Sequence, residues 1–111
     1  MTSDRVRQLL EREHALFVER TRTSRRLLEE RARFLPQGVA SSFQSYQPYP
    51  LTIDDAWQAT VTDVDGNQYL DLHGGFGANV FGHANPEIVK AATAQINRGS
   101  HYAHPTRALS A

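Results

Sequence analysis

The stretch Asp63-Val64-Asp65-Gly66-Asn67-Gln68-Tyr69-Leu70-Asp71 decides how this chain is read. Asp65-Gly66 is a strong hairpin signal, because glycine takes the positive φ that a tight turn requires. Before it, Trp57-Gln-Ala-Thr-Val-Thr-Asp63 alternates like a strand; after it, Asn67-Gln-Tyr-Leu-Asp-Leu72 alternates again. The pattern predicts strands within residues 51–73, paired as a hairpin. Asp63 and Asp65 are placed to accept backbone N–H groups across the turn. The same residues mimic the start of a calcium loop. Counted from Asp63, however, Gln68 and Gly74 stand where an EF-hand needs Gly and Glu.

Downstream lies a glycine-rich loop, residues 74–85, with Gly74, Gly75, Gly77 and Gly82. Gly77-Ala-Asn-Val-Phe-Gly82 has the glycine spacing of a phosphate loop, but His83-Ala84 follows instead of Lys and Ser or Thr. A dinucleotide fingerprint begun at Gly75 would need glycine where Val80 stands. His101 and His104, with His73 and His83, are chemically able to make a histidine-only zinc site. Hydrogen bonding or capping is the commoner work of loop histidines, and no metal site is assigned. Asn85 is a natural N-cap with Pro86 at the first helical position, which predicts a helix over 86–98. Ile88, Val89, Ala92 and Ile96 give it one apolar face, and Arg98-Gly99 marks its end.

Upstream, residues 4–34 read as helix, with Ser3 as cap and Asp4 in the first turn. Thr21, Thr23 and Ser24 weaken its middle, and Ser24 is placed to cap a second helix over 25–34. Pro36-Gln37-Gly38 stops it. Val39 to Pro50 is an extended loop whose Phe43, Tyr46 and Tyr49 suggest packing on a neighbouring element.

The 111 residues suffice for one domain at most. Residues 1–33 hold nine Arg against six acids, while residues 34–111 carry a net charge of −3. Every Gly and Pro lies after residue 33, so the chain divides into a helical segment, 1–35, and a second segment, 36–111. With acids interleaved throughout and zero net charge, there is no electrostatic case for a nucleic-acid or membrane partner. The absence of Cys excludes disulfides, thiolate zinc and a Cys nucleophile. No apolar run approaches the ~18–20 residues of a membrane span, and Met1 to Arg7 does not open a secretory signal, so a cytoplasmic location is expected.

The order Phe34-Leu-Pro36-Gln-Gly38-Val, Asp63-Val-Asp65-Gly66-Asn67-Gln-Tyr69-Leu-Asp71, Gly74-Gly-Phe76-Gly77 and Gly82-His83-Ala-Asn85-Pro86 resembles the N-terminal region of class III pyridoxal-phosphate aminotransferases. The likeness is to the glutamate-1-semialdehyde aminomutase and β-amino-acid transaminase branch, over roughly residues 25–107. It implies an α+β fragment of a fold-type I transferase: N-terminal helices, a small hairpin and a following helix. It also implies pyridoxal 5'-phosphate as cofactor, a small amino substrate and a homodimer. By the same likeness Ser41, Gln44 and Phe76 are substrate-binding. Gln44 stands where aminomutase relatives carry an Arg for the substrate carboxylate, and Gln lacks the two-pronged charged bond. Core packing is the other role open to Phe76.

The family's Schiff-base Lys, its phosphate loop and the Asp for the pyridine nitrogen match nothing in this sequence. The single lysine, Lys90, falls in the helix after Pro86 and matches no catalytic position. The expectation is a fragment of an amino-transferring enzyme, with no catalytic residue of its own and inactive alone. With one hairpin and several amphipathic helices, self-association is expected. The alternative is a non-catalytic module that docks onto a full-length transaminase subunit.

Overall fold

The computed structural model describes residues 3–107. Its elements are α1 (Ser3–Arg20), α2 (Arg22–Arg31), 3-10 turns at Pro36–Gly38 and Ser42–Gln44, β1 (Ile53–Trp57), β2 (Thr60–Asp63), β3 (Gln68–Leu70), α3 (Gly74–Gly77) and α4 (Pro86–Ile96). This is the expected α+β order of helices, small antiparallel sheet and following helix.

The sheet has three strands, β1-β2-β3, rather than the two of a hairpin. The expected first strand is split: Trp57 ends β1, Gln58-Ala59 turns, and Thr60 pairs back with Trp57. Gln-Ala carries no turn signal, so alternation alone runs the two strands together. The turn is fixed from outside. The Gln58 N–H donates to His83 O at 2.9 Å, the His83 N–H returns to Gln58 O at 2.7 Å, and Gln58 sits at φ +52°. Gly82 permits this approach, since a Cβ there would lie 2.9 Å from Gln58 O.

The helical segment breaks at Thr21, not Ser24. Thr21 leaves helical geometry at φ −128°, ψ 38°. Its hydroxyl donates to Phe17 O at 2.6 Å and accepts from the Tyr49 hydroxyl at 2.9 Å. Tyr49 is thereby held against Phe17 with ring centroids 5.1 Å apart, and it is the one buried large hydrophobic among the described residues. The loop before it packs only in part, because Phe43 and Tyr46 remain exposed. Ser24 lies inside α2, fully buried, and is not a cap. Ser3 is likewise the first helical residue rather than a residue preceding the helix. Helix α2 ends at Arg31, with Ala32 as its C-cap, short of the expected residue 34.

The cap that Ser24 was expected to supply comes from the hairpin. Asp65 reaches across to the first turn of α2, accepting from the Thr23 amide at 2.7 Å and the Ser24 amide at 3.0 Å. The Ser24 hydroxyl adds a bond at 3.2 Å. Asn67 serves the other helix: its amide donates to Arg20 O at 2.9 Å, and its carbonyl accepts from the Arg20 guanidinium at 3.0 and 3.2 Å. One turn therefore seals the C-terminus of α1 and the N-terminus of α2, meeting the orphan groups that every helix end leaves.

Helix α4 starts as expected. The Asn85 side chain accepts from the Glu87 and Ile88 amides at 3.0 and 3.3 Å, and Pro86 opens the helix, which ends at Ile96 rather than 98. Its apolar face is not covered by the described residues: Ile88, Val89 and Ile96 are exposed, as are Leu70, Leu72, Val80 and Phe81. The radius of gyration is 19.3 Å, against about 13 Å for a compact domain of this length.

Candidate functional site

The site grows from Asp71, at the end of β3. Its carboxylate receives the His73 and Gly74 amides, both at 2.9 Å, on one oxygen. The other oxygen meets His83 Nε2 at 2.6 Å. The His83 bond, helped by the Gly74 amide, holds the Asp71 carboxyl down to about 2. With Asp71 ionised, His83 Nε2 donates to it, and Nδ1 lies 3.3 Å from the Asn79 side-chain amide nitrogen. Asp71 and His83 thus clasp the two ends of the glycine-rich loop. His83 pins the β1–β2 turn through its backbone at the same time.

Between these ends, α3 is a single left-handed turn. Gly74, Gly75, Phe76 and Gly77 all have positive φ, from 55° to 80°. Left-handed backbone costs an L-residue about 1–2 kcal/mol, so three glycines leave one strained residue, Phe76 at φ 60°, ψ 33°. The Phe76 N–H donates to His73 Nδ1 at 3.2 Å. Its ring stands edge-on to His73 and Phe43, at 4.3 and 5.1 Å between centroids. The ring is 73% exposed, so core packing within this chain is not its role.

Among the described residues neither Ser41 nor Gln44 makes a ring pair or hydrogen bond with Phe76, and what joins their loop to it is Phe43. It belongs to the 3-10 turn Ser42–Gln44, whose closing bond runs from the Gln44 amide to Ser41 O at 2.9 Å. Ser41, half-buried, and Gln44, exposed, therefore flank the residue that touches Phe76. Gln44 also faces a cleft of about 650 Å³ behind this turn, lined by Arg31, Tyr46 and Tyr49 among others. The Asp71–His83 clasp is not legible in the sequence, and Phe43 is legible there only as a loop aromatic that packs, without its partner. Nothing in the spacing of Asp71 and His83 marks a pair, and the partner of a loop aromatic is known only from the fold.

Two further carboxylates stiffen the base of the site. Burial pushes Asp63 up, but bonds from Asn67, the Tyr69 hydroxyl and the Asp65 amide outweigh it and leave the carboxyl below its ordinary range. It accepts the Asp65 and Asn67 amides at 3.0 and 2.8 Å and the Tyr69 hydroxyl at 2.9 Å. Burial and the Asp63 charge in turn raise Tyr69. For Asp65, burial again raises, and bonds from Thr23 and Ser24 win and lower it. Asp63 fulfils its expected turn role; Asp65 turns away from the hairpin to cap α2.

The aminotransferase class-III family model matches residues 41–109, and the chain belongs to that family. It is 37% identical over 83 residues to glutamate-1-semialdehyde 2,1-aminomutase of Methanobrevibacter smithii, covering 75% of this chain and 20% of that protein. The fold superposes on a glutamate-1-semialdehyde-aminomutase of Pseudomonas aeruginosa PAO1 with TM-score 0.85 and 34% identity, over 96% of this chain and 24% of that one. A β-phenylalanine aminotransferase of Variovorax paradoxus gives TM-score 0.83 and 31% identity, over 91% and 24%. The chain thus spans about a fifth of the length of the curated relatives it matches. A variant of the Pseudomonas enzyme was solved in complex with PMP.

The described residues do not by themselves fit the aldehyde form, pyridoxal phosphate. Its Schiff base needs a lysine amine, and the single one, Lys90, stands exposed on α4. A Cβ on Gly74 or Gly77 would meet nothing within 4 Å, so the glycine turn makes no closed phosphate cradle among the described residues. No described helix is long and apolar enough to cross a membrane.

Proposed function

We propose that this chain supplies the substrate-facing mouth of a pyridoxal-phosphate-dependent class III enzyme that moves an amino group on an amino acid or amino-aldehyde. The family match over residues 41–109 carries the reading. Residues 1–35 form a helical segment clasped by the hairpin, and residues 36–111 the leading part of the small domain. Ser41, Gln44 and Phe76 face the substrate. In support, Phe76 is an exposed aromatic held in a strained conformation by flanking glycines, a condition that concentrates at functional sites. Gln44 offers an amide where a guanidinium would favour a carboxylate, so the substrate is held there by a neutral bond. The whole enzyme works in the cytoplasm as a homodimer on a small amino substrate.

Taken alone, this chain is not catalytic and neither forms an imine with pyridoxal phosphate nor transaminates. The test mixes the 111-residue chain with the cofactor and records visible absorbance before and after borohydride. No specific adduct is expected, and a stoichiometric adduct at one residue overturns this part. A chimaera tests the rest: residues 25–107 replace the matching segment of the Methanobrevibacter enzyme. Retained amino transfer supports the reading, provided Phe76→Ala then raises KM. A chimaera that folds and binds cofactor but is insensitive to Phe76→Ala and Gln44→Ala refutes the substrate role.

The exposed apolar face of α4 favours one second reading, a non-catalytic module docked on a full-length transaminase subunit. Co-purification with such a subunit at fixed stoichiometry, with unchanged active-site content, distinguishes it.

A further inference from the structure

His73 holds the left-handed turn from three sides. Its amide donates to Asp71 Oδ1 at 2.9 Å, its carbonyl accepts from the Gly77 amide at 3.1 Å, and its Nδ1 accepts from the Phe76 amide at 3.2 Å. The imidazole also lies edge-on to the Phe76 ring, with centroids 4.3 Å apart. Phe76 needs such support more than its neighbours do. Among Gly74, Gly75, Phe76 and Gly77, all at positive φ, it alone carries a side chain, and left-handed backbone is unfavourable once a Cβ is present. The bond that supports it depends on a proton. Nδ1 accepts only while the ring proton sits on Nε2, whereas an imidazolium donates from both nitrogens and offers the Phe76 N–H nothing. The elements around the turn bring two ionisable groups, Asp71 from the end of β3 and His83 from the far end of the glycine-rich loop. The Asp71 carboxyl, held down to about 2, stays charged where an imidazole takes up its proton, and its other oxygen meets His83 Nε2 at 2.6 Å. On the opposite side Phe43 packs on Phe76, and its turn brings only the uncharged Ser41 and Gln44.

We propose that His73 is a positioning residue for Phe76: the neutral imidazole sets the direction of the ring against Phe43 at the substrate mouth, and protonation of His73 releases it. The bearing on substrate rests on the proposed role of Phe76, whereas the coupling of His73 to Phe76 does not. The test is a pH titration of the full 111-residue chain by NMR. The His73 and His83 imidazoles are followed separately, beside the ring-to-ring NOEs of Phe76 with Phe43. These NOEs are expected above the His73 midpoint and are expected to fade with that midpoint as the pH falls. At one fixed pH above it, His73→Leu is expected to speed amide exchange at Phe76 about fivefold, as for the loss of one ordinary hydrogen bond.

Asn carries Oδ1 at the same branch as Nδ1 and caps well, but takes up no proton. His73→Asn is therefore expected to keep the slow exchange and to hold the Phe76–Phe43 NOEs at every pH in the titration, a rescue that a purely space-filling role for the imidazole does not give. Ring NOEs that are missing in the wild-type chain, that ignore the His73 titration or that still fade with pH in His73→Asn overturn the proposal, as does unchanged exchange in His73→Leu. If the coupling holds but Phe76→Ala leaves the KM of the chimaera unchanged, the positioning stands and the substrate reading of Phe76 fails.

Discussion

Removing the Asp65 carboxylate uncouples the hairpin from the helices, and its cost can be worked from the contacts. Asp65→Ala deletes three bonds, to the Thr23 amide at 2.7 Å, the Ser24 amide at 3.0 Å and the Ser24 hydroxyl at 3.2 Å. Loss of an ordinary N-cap costs about 0.5–2 kcal/mol. Here Ser24 is fully buried, so its stranded amide recovers little water, and a buried unsatisfied donor adds about 1–3 kcal/mol. The Ser24 hydroxyl still accepts from the Thr52 amide at 3.1 Å, which limits the damage. The expected total is about 2–4 kcal/mol for Asp65→Ala. Asp65→Asn keeps one acceptor and loses the charge and the second oxygen, so about half of that is expected. The assay is native-state amide exchange at Thr23 and Ser24, set beside urea unfolding of each variant. Exchange at these two amides should accelerate more than at α4. A shift under about 0.5 kcal/mol for Asp65→Ala, or equal acceleration everywhere, refutes the idea that this carboxylate caps α2 in trans.

The Asp71 carboxyl should titrate at about 2 in a carbon-detected NMR titration, and His83→Asn should return it toward 3.8. Because its folded value is depressed, the clasp contributes fully above the ordinary 3.8 and is lost as pH falls through about 2, which amide exchange at Gly77 and Ala78 reads out. Asp63 and Asp65 are lowered as well, so the elbow between α1 and α2 should also loosen only below the usual carboxylate range, visible as late acid broadening of the Thr23 and Ser24 amides. Gly38→Ala should destabilise more than Gly66→Ala by about 1–3 kcal/mol in denaturant unfolding. Both sit at positive φ, but a Cβ on Gly38 would lie 2.7 Å from Leu28, whereas one on Gly66 meets nothing within 4 Å. Equal losses would mean that φ strain alone governs both sites.

The sequence alone determined the elements whose cause is local. Asp65-Gly66 sets the β2–β3 turn, Asn85-Pro86 sets the start of α4, and the glycines at 74, 75 and 77 set a loop that only glycine-rich backbone can follow. Their order placed the chain in its family, because each motif is a short-range steric or hydrogen-bonding requirement. Tertiary structure decided what depends on partners distant in the chain. The Gln58-Ala59 turn exists because His83 binds it, Ser24 is buried because Asp65 arrives 41 residues later to cap its helix, and Phe76 meets Phe43 across 33 positions. Arg31 shares the spacing of Leu27, Leu28 and Leu35, and only the fold brings its guanidinium to the Thr52 hydroxyl 21 positions on. Local rules fix which backbone shapes are open to a segment, and the free energy of desolvating and pairing remote groups selects where the side chains end up.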